Sequence, residues 1–304
     1  MPFMALFVEE LGVKGDLVKL YAGLAVSISA LASALFAPVW GRLADRYGRK
    51  PMMIRASLVM TFTMGGLAFV TDVYGLLFLR LLNGMFAGYV PNANALIASQ
   101  APKNESGSAL GTLATGVIAG SLIGPLMGGM LAEFLGIRNV FLLVGTLLLL
   151  LMLMTTCFIQ EDFRPVSKKD ILSTKELFAQ IKDRQILLGL FVTSMIIQIS
   201  AQSVAPILAL YIRYLGQRDN LMLIAGLIVS AMGFSSIISS SRFGKLGDKI
   251  GNHRMLLAGL FYCGIIYLIL AQSKTPLQLG IWRFLFGFGT GALMPSVNAL
   301  LTKL

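Results

Sequence analysis

One histidine, two cysteines and fourteen carboxylates are all that 304 residues offer for metal binding, disulfide chemistry or acid–base catalysis. His253 lies in a short basic stretch where a solvated imidazole is expected, and it is given no role. Cys157 and Cys263 both fall inside long apolar runs, so they read as small packing residues rather than a disulfide or a metal pair. Every acid lies in a connection or at the end of an apolar run. No acid, base, nucleophile or metal set converges, and the expectation is that the chain is not an enzyme, with catalytic and metal residues none. A phosphate-cradling glycine loop of the nucleotide-binding kind is also missing.

Charge is scarce as well, at 13% of residues against 56% apolar, and the mean hydropathy is +0.79. A soluble domain of this size needs a larger charged surface. Instead the charges are confined to short stretches between apolar runs of about 17 to 25 residues, the length that crosses a bilayer. Nine complete runs can be marked, at 20–40, 54–70, 75–97, 109–133, 139–160, 186–211, 221–241, 254–272 and 278–300, preceded by an apolar stub from Met1 to Val8. They lack the strict alternation of a membrane barrel and hold internal Gly and Pro, so helices remain. The fold class expected is all-α and polytopic.

The net charge of +11 is a matter of topology. Sixteen Lys and Arg fall in or beside the connections at 41–53, 98–108, 161–185 and 242–253, and only six in the alternate set. The basic set is therefore expected to be cytoplasmic. None of these connections is long enough to fold into a basic soluble face, so nucleic acid is not an expected partner.

Shifted by 203 residues, the sequence matches itself. Gly41, Leu43, Asp45 and Gly48 fall on Gly244, Leu246, Asp248 and Gly251, and Arg80, Gly84 and Gly88 on Arg283, Gly287 and Gly291. With one residue of slippage, the stretch from Pro2 to Gly12 lies over that from Pro206 to Gly216. Two halves in parallel register, 1–160 and 186–304 with a charged linker at 161–185, are the construction of transporters. The register also implies missing pieces: most of the first span, and two spans after residue 304. The chain is expected to be a piece of a longer parent, inactive in transport by itself, and the functional expectations concern that parent.

The residues now carry a family resemblance. Gly41-Arg-Leu-Ala-Asp45-Arg46-Tyr-Gly48-Arg49-Lys50 resembles the signature loop between the second and third spans of the major facilitator superfamily, and Gly244 to Arg254 is a weaker second copy. Physically, Gly41 and Gly48 would permit a tight turn, Asp45 would cap a helix start, and Arg46, Arg49 and Lys50 would hold an anionic leaflet. A plain turn with topological anchors is the alternative for a single copy, and the second copy weakens it. The resemblance implies a gating role, steadying the outward-facing state, with Gly244, Asp248 and Gly251 as counterparts.

In the fourth span, Leu77-Phe-Leu-Arg80-Leu-Leu-Asn83-Gly84 is similar to the family's second motif, which implies proton coupling at Arg80. An arginine does not release a proton at ordinary pH, so a carboxylate or water must carry it. Glu133, near the end of the fifth span, is the nearest acid to the membrane interior. It reads either as that carrier or as an ordinary interfacial residue. Arg80, Asn83, Gly84, Ala87, Gly88 and Pro91 recur at helical spacing and are expected to share one inward face.

The fifth span carries Gly111, Gly120, Gly124, Pro125, Gly128 and Gly129. Gly120, Gly124 and Gly128 are four apart and should form a smooth packing stripe, while Pro125 should bend the helix. Four-apart glycines alone suit any membrane protein. The whole pattern resembles the antiporter motif of the twelve-span drug–proton exporters, the bacterial multidrug efflux pumps of fluoroquinolone and dye type. That resemblance implies a major facilitator fold, a multi-pass plasma membrane location in a bacterium, amphipathic drug-like cargo, protons and lipids as partners, no cofactor beyond the proton gradient, and a monomer. An uptake symporter for a sugar or metabolite is the alternative; a membrane sensor would need a signalling domain. For the cavity, Asn83, Asn94, Gln198 and Gln202 are the polar candidates. The sixteen Met and nineteen Phe suit a flexible lining or ordinary lipid contact.

Overall fold

Every apolar run becomes helix in a computed structural model of the chain, which describes residues 2–102, 106–163 and 184–301. Twelve α-helices and no strand occur among the described residues. They are α1 (Met4–Glu10), α2 (Leu17–Tyr47), α3 (Arg49–Gly66), α4 (Val73–Met85), α5 (Tyr89–Gln100) and α6 (Ser106–Leu135). After them come α7 (Ile137–Phe158), α8 (Arg184–Gln202), α9 (Leu208–Tyr214), α10 (Leu221–Ile250), α11 (Asn252–Leu270) and α12 (Pro276–Leu301). Eight helical segments among the described residues are long and apolar enough to cross a membrane. The ninth expected run, 278–300, folds as α12 but is not among the eight.

The packing follows the rule for a lipid solvent. Along α2, Ala22, Ala25 and Ala32 are buried while Leu31 and Leu35 are 63% and 65% exposed. Small residues face neighbouring helices and let backbones approach; large apolar ones face outward, where hydrocarbon meets them at no cost.

Two expected spans are broken. The run 75–97 divides into α4 and α5 at Phe86–Gly88, where Gly88 takes a φ of +127°. The run 186–211 divides into α8 and α9 around a 3₁₀ turn, Ala205–Ile207, that carries Pro206. Proline lacks the N–H needed to continue the ladder.

The internal repeat is legible in backbone hydrogen bonds. α1 and α9 are both seven residues long and 204 apart in sequence. After α1, the N–H groups of Leu11, Gly12 and Val13 donate to Phe7, Glu9 and Val8; after α9, those of Leu215, Gly216 and Gln217 donate to Tyr211, Arg213 and Ile212. Gly12 and Gly216 close these caps at φ of +88° and +94°. Further along, Gly48 and Gly251 sit at φ of +100° and +97° between α2 and α3 and between α10 and α11.

The chain forms two compact units. One holds residues 4–120 and 131–163, the other residues 2–3, Ser121–Met130 and 184–301. The middle of α6 thus groups with the second unit, where it packs on α10.

Candidate functional site

The turn between α2 and α3 is built differently from the expectation. Gly41 lies inside α2, six residues before its end, and only Gly48 makes the turn. Asp45 does not cap α3. Its carboxylate pairs with the Arg49 guanidinium, N to O 2.5 Å, within one helical turn. The cap comes from Glu161, just beyond α7. Its two carboxylate oxygens accept the backbone N–H groups of Arg49, at 2.6 Å, and Lys50, at 2.8 Å. A helix start leaves its first N–H groups without internal partners, and a carboxylate there satisfies them and the positive end of the dipole together. Lys50 Nζ donates to the Thr156 carbonyl, 3.0 Å away. The clasp therefore ties the signature loop to the end of the sixth span at three points. A cavity of about 880 Å³ opens beside it, lined by Asp45, Arg49, Gln100, Glu161 and Asp162. Arg46 is exposed, its guanidinium 5.2 Å from the Tyr47 ring centre.

At the second-half counterpart, Gly244 lies inside α10 and Gly251 makes the turn into α11. The backbone of Asp248 continues α10, and its side chain lies outside the described residues.

The break in the fourth span is held by two residues that sequence reasoning missed. Where α4 stops, the carbonyls of Met85, Phe86 and Ala87 lose their helical partners. Trp40 Nε1 of α2 donates to Met85, at 2.6 Å, and Arg55 Nη2 of α3 donates to Phe86 and Ala87, each at 3.3 Å. The Arg55 guanidinium lies 3.4 Å from the Trp40 ring centre. Unsatisfied backbone at membrane depth is costly, which is why this device exists. Arg55→Lys keeps the charge but loses the planar fork and the stacking; a stability loss of about 1–3 kcal/mol is expected. Trp40→Phe should cost about 1 kcal/mol through the Met85 carbonyl. Thermal unfolding in detergent, scored on both variants, checks this.

Arg80 is buried, 8% exposed, on α4. Its carbonyl accepts the Ser29 hydroxyl, 2.7 Å away, and Gly84, one turn later, leaves room for the Ser29 carbonyl to press on its backbone. In the second half the Met232 carbonyl occupies the same place against Gly287. The one-face expectation ends at the break: the left-handed turn at Gly88 takes Ala87, Gly88 and Pro91 out of helical phase with Arg80. The Asn83 amide donates to Thr63 Oγ1 of α3, at 2.9 Å. Asn94, Gln198 and Gln202 are exposed. Glu133 is half-buried near the end of α6, in the first unit with Arg80.

The glycines of α6 pack, but on a face other than the four-apart stripe. Beside Gly111, Gly120 and Gly124 no described atom lies within 4 Å of where a Cβ would stand, and at Gly128 only the Phe3 ring does, at 3.9 Å. The tight seam is Leu122, Pro125 and Gly129 against α10. The Met222 carbonyl presses on Gly129, the Pro125 carbonyl presses on Gly226, and the Ser230 hydroxyl donates to the Leu122 carbonyl, at 2.6 Å. Helices this close have no room for one methyl group.

Two repeats of membrane-length helices, a broken span whose free carbonyls are re-satisfied, and buried arginines at matched positions define a helical membrane transporter of the two-repeat kind. The family model described as Major Facilitator Superfamily matches residues 1–304. The chain belongs to the Major Facilitator Superfamily. It is 64% identical over 304 residues to the multi-drug resistance efflux pump PmrA of Streptococcus pneumoniae, covering all of this chain and 76% of that protein. It is also 49% identical over 303 residues to the multidrug resistance protein MdtG of a Rahnella species, covering 99% and 74%. Among solved structures, a bacterial homologue of the lysosomal transporter Spinster aligns at a TM-score of 0.74, 15% identity and 99% and 74% coverage. A D-xylose–proton symporter aligns at a TM-score of 0.70, 16% identity and 97% and 75% coverage. At such identities these two share the fold and nothing finer.

Proposed function

We propose that this chain is the main part of a proton-driven multidrug efflux transporter that exports amphipathic drugs and dyes by alternating access. The observation that carries the reading is the 64% identity, over the whole chain, to a multi-drug resistance efflux pump. The α6 seam adds to it: the glycines and proline that resemble an antiporter motif include the two, Pro125 and Gly129, whose backbones touch α10. Proton coupling would run through Arg80 with Glu133 as carrier, and the clasp of Asp45, Arg49, Lys50 and Glu161 would stabilise one of the two access states. The basic loops, the clasp among them, would face the cytoplasm of a bacterial cell. The transporter would work as a monomer, drawing on the proton gradient without a bound cofactor. A sugar or metabolite uptake symporter shares the fold, but no observation on this chain favours it.

The test is ethidium accumulation in cells expressing the full-length gene product, with and without a protonophore, beside Asp45→Asn. The Asp45–Arg49 pair is partly exposed, so its loss should cost stability only about 0.2–1 kcal/mol. Lower accumulation than in control cells, restored by the protonophore and by Asp45→Asn, is the expected result. Unchanged accumulation would move the assignment to a narrow-substrate or uptake carrier.

A further inference from the structure

The fourth span of the first repeat and its counterpart in the second share a framework but differ in backbone. Arg80, Gly84 and Gly88 stand over Arg283, Gly287 and Gly291, yet the first-half span divides into α4 and α5 whereas α12 runs unbroken from Pro276 to Leu301. The span's own residues do not account for this. α12 carries Gly287, Gly289, Gly291 and Pro295 and remains helical, so glycines and a proline at these positions leave a continuous helix available.

The difference lies on the neighbouring helices. Trp40 and Arg55, which donate to the carbonyls of Met85, Phe86 and Ala87, have Phe243 and Ala258 as repeat counterparts. Neither of those side chains carries a hydrogen-bond donor. The Phe243 ring instead meets that of Phe288, the counterpart of Met85, edge to face at 5.7 Å. Where the first half has Phe86 the second has Gly289, and a Cβ there would collide with the Cys263 sulfur and the Tyr262 ring. The second-half span is packed as a continuous helix, and the first-half span is supplied with donors for a broken one.

Those donors replace the helix's own, carbonyl for carbonyl. In an unbroken span the Met85 and Phe86 carbonyls would accept the N–H groups of Tyr89 and Val90, four residues on. In the break Trp40 Nε1 stands in for the first and Arg55 Nη2 for the second. Pro91 offers no N–H to the Ala87 carbonyl in either arrangement, and Arg55 serves that carbonyl too. The break also places Pro91 in the first turn of α5, where a missing N–H is harmless. Gly88 takes its φ of +127° at little cost. Both arrangements satisfy the same backbone groups at membrane depth, which is the condition for an element with two stable forms.

We propose that the fourth span is a two-state hinge and that Trp40 and Arg55 are its latch. Latched, the span is broken at Phe86–Gly88; released, it runs as one helix in the manner of α12. Straightening re-aims α5 relative to α4, which carries Arg80. The second repeat has no donor at Phe243 or Ala258, so the hinge belongs to the first repeat alone. The proposal goes beyond the efflux reading, and its distance test does not depend on that reading.

Spin labels at Phe78→Cys and Ala95→Cys, on either side of the break, are placed in the full-length gene product with its native cysteines replaced, in lipid nanodiscs. The repeat-matched pair on α12, Ile281→Cys and Asn298→Cys, gives the distance for an unbroken helix, roughly 26 Å along the axis. The wild type should show a shorter main distance than the α12 pair. Arg55→Leu combined with Trp40→Phe removes three hydrogen bonds, each worth about fivefold, and should move the ratio of long to short distance by roughly a hundredfold. Pro91→Ala relieves the unbroken form of an internal proline and should act in the same direction by a similar factor without touching the latch. Should the double variant fail to reach the membrane, Pro91→Ala decides alone. Variants that hold the wild-type distance, or a wild type already at the α12 distance, would overturn the proposal and leave Trp40 and Arg55 as fixed supports. Ethidium export by the wild type tests the efflux reading on its own; where that holds, Pro91→Ala should export severalfold less, and full export from a straightened span would also overturn the hinge.

Discussion

Gly129→Ala is expected to cripple the transporter, while Gly124→Ala, five residues away in the same motif, should leave it folded and near full activity. A methyl at Gly129 would collide with the Met222 carbonyl and crowd the Gly226 Cα, whereas at Gly124 it meets no described atom within 4 Å. Overpacking a tight contact costs about 1–3 kcal/mol, and each 1.4 kcal/mol is tenfold in an equilibrium. Backbone carbonyls do not move aside as side chains do, so the upper part of that range applies. Gly226→Ala, which meets the Pro125 carbonyl, should reproduce the loss from the other helix. Ethidium export normalised to the amount of folded protein, measured for the three alanine variants, checks the order. Equal tolerance at positions 124 and 129 would mean that the α6–α10 seam is not the packed face.

The second large effect is expected at Glu161, a residue outside every motif. Glu161→Ala removes both acceptors from the first N–H groups of α3, and hydrogen bonds to a charged group are worth about 1.5–3 kcal/mol each. The clasp is only half-buried, so we expect the lower end for the pair, about 2–3 kcal/mol. That corresponds to a rise of roughly 30- to 150-fold in opening of the α3 start. Hydrogen exchange of residues 49–53 should accelerate by that factor, with export reduced. Glu161→Gln retains a neutral acceptor and should fall between. Exchange unchanged in both variants would remove Glu161 from the gate.

Much of this architecture is legible in the sequence because a membrane makes the pattern coarse. Apolar runs of spanning length, Arg and Lys segregation and a self-match at 203 residues each survive without knowledge of any contact. The left-handed turns at Gly48 and Gly251 were readable too, since glycine is the residue for which positive φ is cheap. The rest depends on partners far along the chain. The carbonyls freed at Phe86–Gly88 have no local sequence signature, and Arg55 and Trp40, which donate to this break, lie about thirty to forty-five residues earlier in the chain. Glu161 is separated by more than a hundred residues from the N–H groups it caps, so Asp45, nearer in sequence, looked like the better cap. Four-apart spacing picked the wrong face of α6 because every glycine in the pattern was weighed alike, when only the neighbouring helix decides which one is pressed. The hydrogen bond from Asn83 to Thr63, twenty residues earlier, has no local signature either.

The slippage in the repeat has a geometric consequence. α1 and α9, and the starts of α2 and α10 at Leu17 and Leu221, are related by 204 residues, whereas Ser29 and Met232, and everything after them, are related by 203. One residue more therefore lies between the start of α2 and its contact with Gly84 than between the start of α10 and its contact with Gly287. On an α-helix one residue is about 100° of rotation and 1.5 Å of rise. The first half is thus wound out of phase with the second between its end cap and its glycine contact. A protein assembled from two copies of either half would keep every motif and lose that offset, so the two halves, alike in plan, are not interchangeable parts.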